Sequence, residues 1–240
     1  MALDLRGAGI GNVLLMVAGY LEEKERLEVS DEGVEEPRLY HDCPDQLFFI
    51  SPSIPRAAVP LADEPVRLAP PKQYVSLSQL ARENVQQRMR AVLRIPPALV
   101  EGIDALLEGV DAGFHVRVSS PLDSGFAFMN DAALSAMLAL VAQYTRPFVC
   151  SNSRGVEEHV AREFPHAVLL PWTGPECARN DAAHIRPWYA LSRCPVVVHA
   201  VGGQGALAST FAATAAVVGR RRLVGIDNRG RVLTGTSYHW

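Results

Sequence analysis

The stretch from Pro195 to Asp227 constrains the fold more than any other part of the chain. It opens with Pro-Val-Val-Val-His-Ala-Val, a short β-branched run of the kind that forms a strand buried on both faces. Gly202-Gly203-Gln204-Gly205 follows, and glycines let a chain turn sharply and bring backbone N–H groups close to a ligand. The Ala-rich segment after it is a strong helix former. A strand, a glycine turn and a helix N-terminus make an anion site, because free N–H groups and the helix dipole point the same way. The arrangement predicts an α/β fold with a phosphate-bearing ligand at this turn.

Two ligands fit. Gly203-Gln204-Gly205-Ala206-Leu207-Ala208 matches the G-x-G-x-x-A dinucleotide fingerprint, and Asp227 falls about 20 residues on, where a ribose-binding acid is expected. The alternative is a nucleotide-sugar site in the second half of a glycosyltransferase. A plain turn between a core strand and a core helix would leave the same letters, since short glycine motifs often arise without a ligand.

Composition narrows the class. The chain has 240 residues, 48% hydrophobic and 20% charged, as in an ordinary globular protein of one large or two small domains. A net charge of −3 gives no basic surface for nucleic acid. Cys43, Cys150, Cys177 and Cys194 show no close pairing, which fits structural thiols in a reduced compartment. No apolar run is long enough to span a bilayer. Val13 to Ala18 is followed at once by Glu22-Glu23-Lys24-Glu25-Arg26, unlike a cleavable signal, so a cytoplasmic location is expected.

In the first half, Met1 to Arg6 reads as a strand, Gly7 to Asn12 as a glycine turn and Val13 to Leu27 as a helix capped by Asn12. Short strands are expected at Glu28 to Ser30, Arg38 to His41 and Gln46 to Ile50. Six prolines between Ser51 and Gln73 argue for a long ordered loop without regular structure, suited to an acceptor-binding flap. Helices are expected over Ser76 to Leu93 and Ala98 to Gly109, the second with prolines at its first turn. The junction between an N-terminal domain, 1–109, and a C-terminal domain, 110–240, is placed at Gly109 to Gly113.

In the second half, Phe114, Val116 and Val118 alternate with His115 and Arg117, the period of a half-buried strand. An arginine at the carboxyl end of a strand can offer its guanidinium fork to a phosphate. The remaining elements are helices over Asn130 to Tyr144, Glu157 to Phe164 and Asp181 to Leu191, a strand over His166 to Leu170, and a turn at Arg229-Gly230 before a short last strand. Only a short tail follows Asp227, whereas a dinucleotide fingerprint usually opens its domain. That weakens the NAD(P)-dependent oxidoreductase alternative. No H-E-x-x-H or similar metal-ligand cluster is present.

Four short motifs in order resemble the fucosyltransferase superfamily, which includes the α-1,2-, α-1,6- and protein O-fucosyltransferases. His115-Val116-Arg117 is similar to its H-x-R motif, and Gly9-Ile10-Gly11-Asn12 to its opening G-x-G-N. Phe148 to Ser153 resembles the strand and turn that hold the donor base, and Trp188 to Val201 the helix and strand before the third motif. That motif usually reads Ser-Ser/Thr-Phe. Ser209-Thr210-Phe211 has the letters but is expected about two turns into the helix, so the phosphates are assigned to the turn before it. Val118, Ser119 and Ser120 stand where many relatives have a second Arg and an acid, and Asn152 is neutral where the base-binding turn often carries an acid. The chain is also shorter than typical relatives.

The resemblance implies a GT-B-like α/β fold with two Rossmann-like halves and parallel sheets. It implies inverting transfer of a deoxysugar, fucose, from a GDP-sugar donor to a glycan acceptor without a metal or other cofactor. Arg117 and His115 would be catalytic. Gly9, Gly11, Asn12, Ser151, Asn152, Gly202, Gly203, Gln204, Gly205, Ser209 and Thr210 would bind the donor. A sugar-nucleotide-binding relative without activity would share these features. His41, Asp42, Asp45 and Glu22 are the first-half candidates for a catalytic base.

Overall fold

The structure is a computed structural model. It describes residues 11, 14, 15, 18, 27–30, 56–59, 83–93, 95, 97–118, 129–171, 182–201 and 209–234. The chain divides into two compact units. One is Met1–Leu99 with Arg179–His184 and Trp240; the other is Val100–Ala178 with Ile185–His239.

In the first unit, Gly11, Leu14, Leu15 and Ala18 are helical and buried. Their spacing is the apolar stripe of an amphipathic helix. Gly11 is already helical, and the expected cap, Asn12, lies outside the described residues. Strands β1 (Leu27–Ser30) and β2 (Arg56–Val59) pair in parallel, Leu27 opposite Arg56. Strand β2 corrects the expectation of a structureless proline-rich loop. It fits between Pro55 and Pro60, so these prolines bound a four-residue strand rather than interrupt one. Helix α1 (Glu83–Val92) buries Val85 and Met89, one turn apart. The strands expected at residues 1–6, 38–41 and 46–50 lie outside the described residues.

The helix expected over Ala98 to Gly109 is two short helices, α2 (Pro97–Val100) and α3 (Ile103–Leu106). Gly102 separates them with φ +76°, a left-handed conformation that ends one helix and that only glycine adopts without strain.

The second unit holds a five-stranded sheet. Its strands are β3 (Ala112–Val116), β4 (Pro147–Ser151), β5 (Val196–Ala200), β6 (Arg222–Ile226) and β7 (Val232–Leu233), in the order β4-β3-β5-β6-β7. All neighbours are parallel except β6 and β7. The connecting helices are α4 (Asp131–Val141), α5 (Arg154–Glu163), α6 (Ala182–Arg193) and α7 (Thr210–Gly219). The Asn130 side chain caps α4 by accepting the Ala133 amide at 2.9 Å, as its sequence position predicts. The strand expected over His166 to Leu170 shrinks to one bridge, Val168 against Phe148. A turn closed by the Ala167 amide on the Phe164 carbonyl uses up the residues before it.

One sheet face packs Ala112, Phe114, Val116, Val149, Val198 and Ile226 against Ala133, Met137 and Val141 of α4. The other face is covered as well. A Cβ on Gly113 of β3 would stand 2.8 Å from Cys194 Sγ and 3.1 Å from Leu191, so the glycine lets α6 approach the sheet closely. Every residue of β3 is buried, His115 included. This corrects the half-buried strand read from the alternation: β3 is a central strand with helices on both sides.

Candidate functional site at the strand ends

Within the second unit the first strand, β3, lies between the second, β4, and the third, β5. The strand order therefore reverses direction between β3 and β5, and in open α/β sheets ligands bind at the carboxyl ends of the strands beside such a reversal. His115 sits near that end of β3 and is the ladder partner of His199 on β5. Cys150 on β4 and Gly225 on β6 continue the same row across the sheet.

Helix α7 starts beside these histidines. Its first residue is Thr210 and its N-cap is Ser209. The sequence expectation put Ser209-Thr210-Phe211 well inside the helix; the triplet instead opens it. High helix propensity in Ala206-Leu207-Ala208 suggested the earlier start, but propensity is a weak prior against tertiary contacts. Those contacts are specific. Ser209 Oγ lies 3.1 Å from His115 Nδ1, the Ser209 amide donates to His199 Nδ1 at 3.4 Å, and the Phe211 ring stacks on His115 with centroids 4.8 Å apart. Gly202, Gly203, Gln204 and Gly205 lie outside the described residues, as do Gly9, Asn12 and the base candidates His41, Asp42, Asp45 and Glu22.

Burial sets the charge state of both rings. Desolvation, then the nearby positive charges of Arg117 and His199, lowers the His115 pKa to about 3. Desolvation also lowers His199 to about 4, a hydrogen bond with the Ala200 backbone opposing it. Both imidazoles are neutral at neutral pH. His115 is therefore a hydrogen-bonding group, not a cation, and the positive charge beside it belongs to Arg117, half-buried just beyond β3.

Ser151 and Asn152 hold the backbone on either side of Arg117. Ser151 Oγ donates to the Val116 carbonyl at 2.7 Å. The Asn152 carboxamide accepts the Val118 amide at 2.9 Å and donates to the Val118 carbonyl at 3.0 Å. These side-chain bonds take over from the sheet ladder, which stops at Val116 and Ser151. Glu157, in the first turn of α5, accepts the Ser151 amide at 3.0 Å, and burial raises its pKa to about 7. Glu157 and His199 were not anticipated. For His199 the signal was a single polar residue in the apolar run Val196 to Val201; for Glu157 the sequence carries none.

Asp227 is committed elsewhere. It accepts the amides of Arg229 and Arg231, each at 2.9 Å, and pairs with the Arg231 side chain, so its carboxylate closes the β6–β7 turn. The strand after it is antiparallel, unlike the continuing parallel strands of a dinucleotide domain. Both findings count against a ribose-binding role. Cys150 and Cys194 are free and buried, and desolvation first of all raises both thiols, Cys194 to about 12. Among the described residues, no three His, Cys, Asp or Glu side chains gather as a metal site. Among them, too, no helix is long and apolar enough to cross a membrane.

No protein-family model matches the sequence, and its comparison with curated proteins finds no match. Solved structures do match. NodZ α-1,6-fucosyltransferase co-crystallised with GDP is similar with a TM-score of 0.58 at 16% identity, over 94% of this chain and 94% of that one. NodZ soaked with GDP-fucose and selenomethionine NodZ from Bradyrhizobium each give a TM-score of 0.57 at 16% identity, again over 94% of both chains. The chain thus has a fucosyltransferase-like α/β fold with a parallel-dominated sheet.

Proposed function

We propose that the protein is a GT-B glycosyltransferase that moves a deoxysugar, fucose, from a GDP-sugar to a hydroxyl of a glycan acceptor with inversion. One observation carries the reading. The Ser209-Thr210-Phe211 triplet opens α7 directly against His115, with Arg117 just beyond the end of the same strand, at the point where the strand order reverses. Two motifs far apart in the chain thus meet where this fold class binds ligands. Solved structures of similar fold hold GDP or were soaked with GDP-fucose.

In this reading the acceptor oxygen attacks the anomeric carbon, the bond to the diphosphate breaks, and GDP leaves with the electron pair. The acceptor proton passes to a general base. Charge grows on the departing phosphate, and aimed donors stabilise such charge. Arg117 would supply a cation there and the first turn of α7 its free amides. These groups would make a metal unnecessary.

Thermal melting with GDP, GDP-fucose, UDP, NAD and NADP tests the reading. A ligand at 100 times its dissociation constant adds about 2.7 kcal/mol, which raises the midpoint of a chain this size by roughly 5–10 °C. GDP and GDP-fucose are expected to give that shift. A shift with NAD alone would overturn the reading, and a shift with UDP in place of GDP would overturn the fucose assignment. Transfer is expected to survive EDTA; loss restored by manganese would remove metal independence.

A further inference from the structure

The start of α7 hangs on a histidine that the motifs do not include. An N-cap serine ordinarily turns its oxygen onto an amide of its own helix. Ser209 makes no such bond. Its hydroxyl goes to His115, and its amide goes to Nδ1 of His199. These two rings are ladder partners on adjacent strands, so Ser209 spans β3 and β5 from above. Among the described residues, the amides of Thr210, Phe211 and Ala212 find no acceptor, as the first turn of any helix requires.

We propose that His199 is a positioning residue of the donor site: by taking the Ser209 amide it sets where α7 begins and so aims the next three amides at the donor phosphate. The proposal rests on the donor-site reading above. A histidine that only filled the core would need neither a particular tautomer nor an acceptor at one ring position. A positioning histidine needs both. Accepting on Nδ1 places the ring proton on Nε2.

The side-chain oxygen of asparagine falls close to the place of Nδ1, whereas that of glutamine falls near Nε2. His199→Asn should therefore keep the acceptor, and His199→Gln and His199→Leu should lose it. Calorimetric titration with GDP is expected to show wild-type affinity within about twofold for His199→Asn. The other two variants should bind about fivefold to tenfold more weakly, the effect of one lost hydrogen bond. Nitrogen-15 NMR of the ligand-free protein should show His199 as the Nε2–H tautomer. The Ser209 amide should exchange faster in His199→Gln than in His199→Asn.

Equal GDP affinity in all three variants would overturn the proposal, as would the Nδ1–H tautomer. A wild type that binds no GDP would sink the donor reading instead. The tautomer and the Ser209 exchange rates, which need no ligand, then decide the positioning role alone. Should His199→Leu fail to fold, the Asn and Gln pair carries the comparison.

Discussion

Ser209 and His115, 94 positions apart in the chain, meet with Oγ 3.1 Å from Nδ1. That contact joins the end of β3, two residues before Arg117, to the beginning of α7. In the proposed donor site a guanidinium, the helix dipole and open amides would together supply positive potential for a phosphate.

Arg117→Ala is expected to lower transfer from GDP-fucose by about 10²–10³ in turnover, the usual loss when one stabiliser of developing charge is removed. Arg117→Lys should recover little, since a point charge does not reproduce the planar fork. Steady-state rates decide it, and undiminished transfer in the alanine variant would take Arg117 out of the mechanism.

Asn152 is expected to act through the backbone beside Arg117. Asn152→Ala removes both bonds to Val118. It should cost about 1–3 kcal/mol of stability and slow transfer, while leaving the preference for GDP over UDP unchanged. A variant that loses the GDP preference would show that the carboxamide reads the base.

Stability should peak near pH 7. The unfolded chain protonates its histidines near 6.5, but folded His115 and His199 resist to about 3 and 4. Below pH 6.5 the unfolded state binds more protons, and stability falls as pH falls. Glu157 acts the other way. Folded, it keeps its proton up to about 7, while the unfolded chain releases it near 4.5, so stability declines as pH rises between those values. Two histidines outweigh one glutamate up to about pH 7, where the effects cancel because unfolded histidine is still partly protonated above 6.5. Melting curves of Glu157→Gln should rise more steeply between pH 4.5 and 7 than those of the wild type; an unchanged profile would exclude this assignment.

Gly219→Ala should destabilise the fold. A Cβ there would overlap the Ser192 carbonyl oxygen and stand 2.8 Å from its carbon, so α7 and α6 would have to separate. Overpacking of this kind costs about 1–3 kcal/mol, or roughly 2–12 °C in melting temperature. Gly155→Ala is the control, because its nearest neighbour is Ser153 Oγ at 3.8 Å, and the alanine should be neutral or slightly stabilising. Equal melting of the two variants would refute the close approach.

Local pattern disclosed most of the second unit. The alternation of Phe114 and Val116 identified the face that packs on α4, and the β-branched run at Val196 identified a central strand. The burial of His115 was hidden, because a strand's second face is covered by segments far along the chain, here α6 and α7. Strand β2 was missed because proline density was read without regard to the gap between Pro55 and Pro60. The start of α7 was misplaced for a related reason: alanines signal helix, but the partners of Ser209 set its first turn. The Gly102 break shows the limit of an apolar stripe, which Leu99, Ile103, Leu106 and Leu107 satisfy whether or not one helix carries them all.

Helix α7 buries six consecutive residues, Ala212 to Val217, and so has no face turned to solvent along its middle. A helix enclosed in this way cannot tilt or fray on its own. Its opening turn belongs to the same cooperative unit as the β-sheet beneath it. Hydrogen exchange at Ala213 to Val217 should therefore proceed only through global opening, at the rate set by the whole unit's stability. A ligand seated at the opening turn would slow exchange along the full length of the helix, turning a local contact into protection of the entire core.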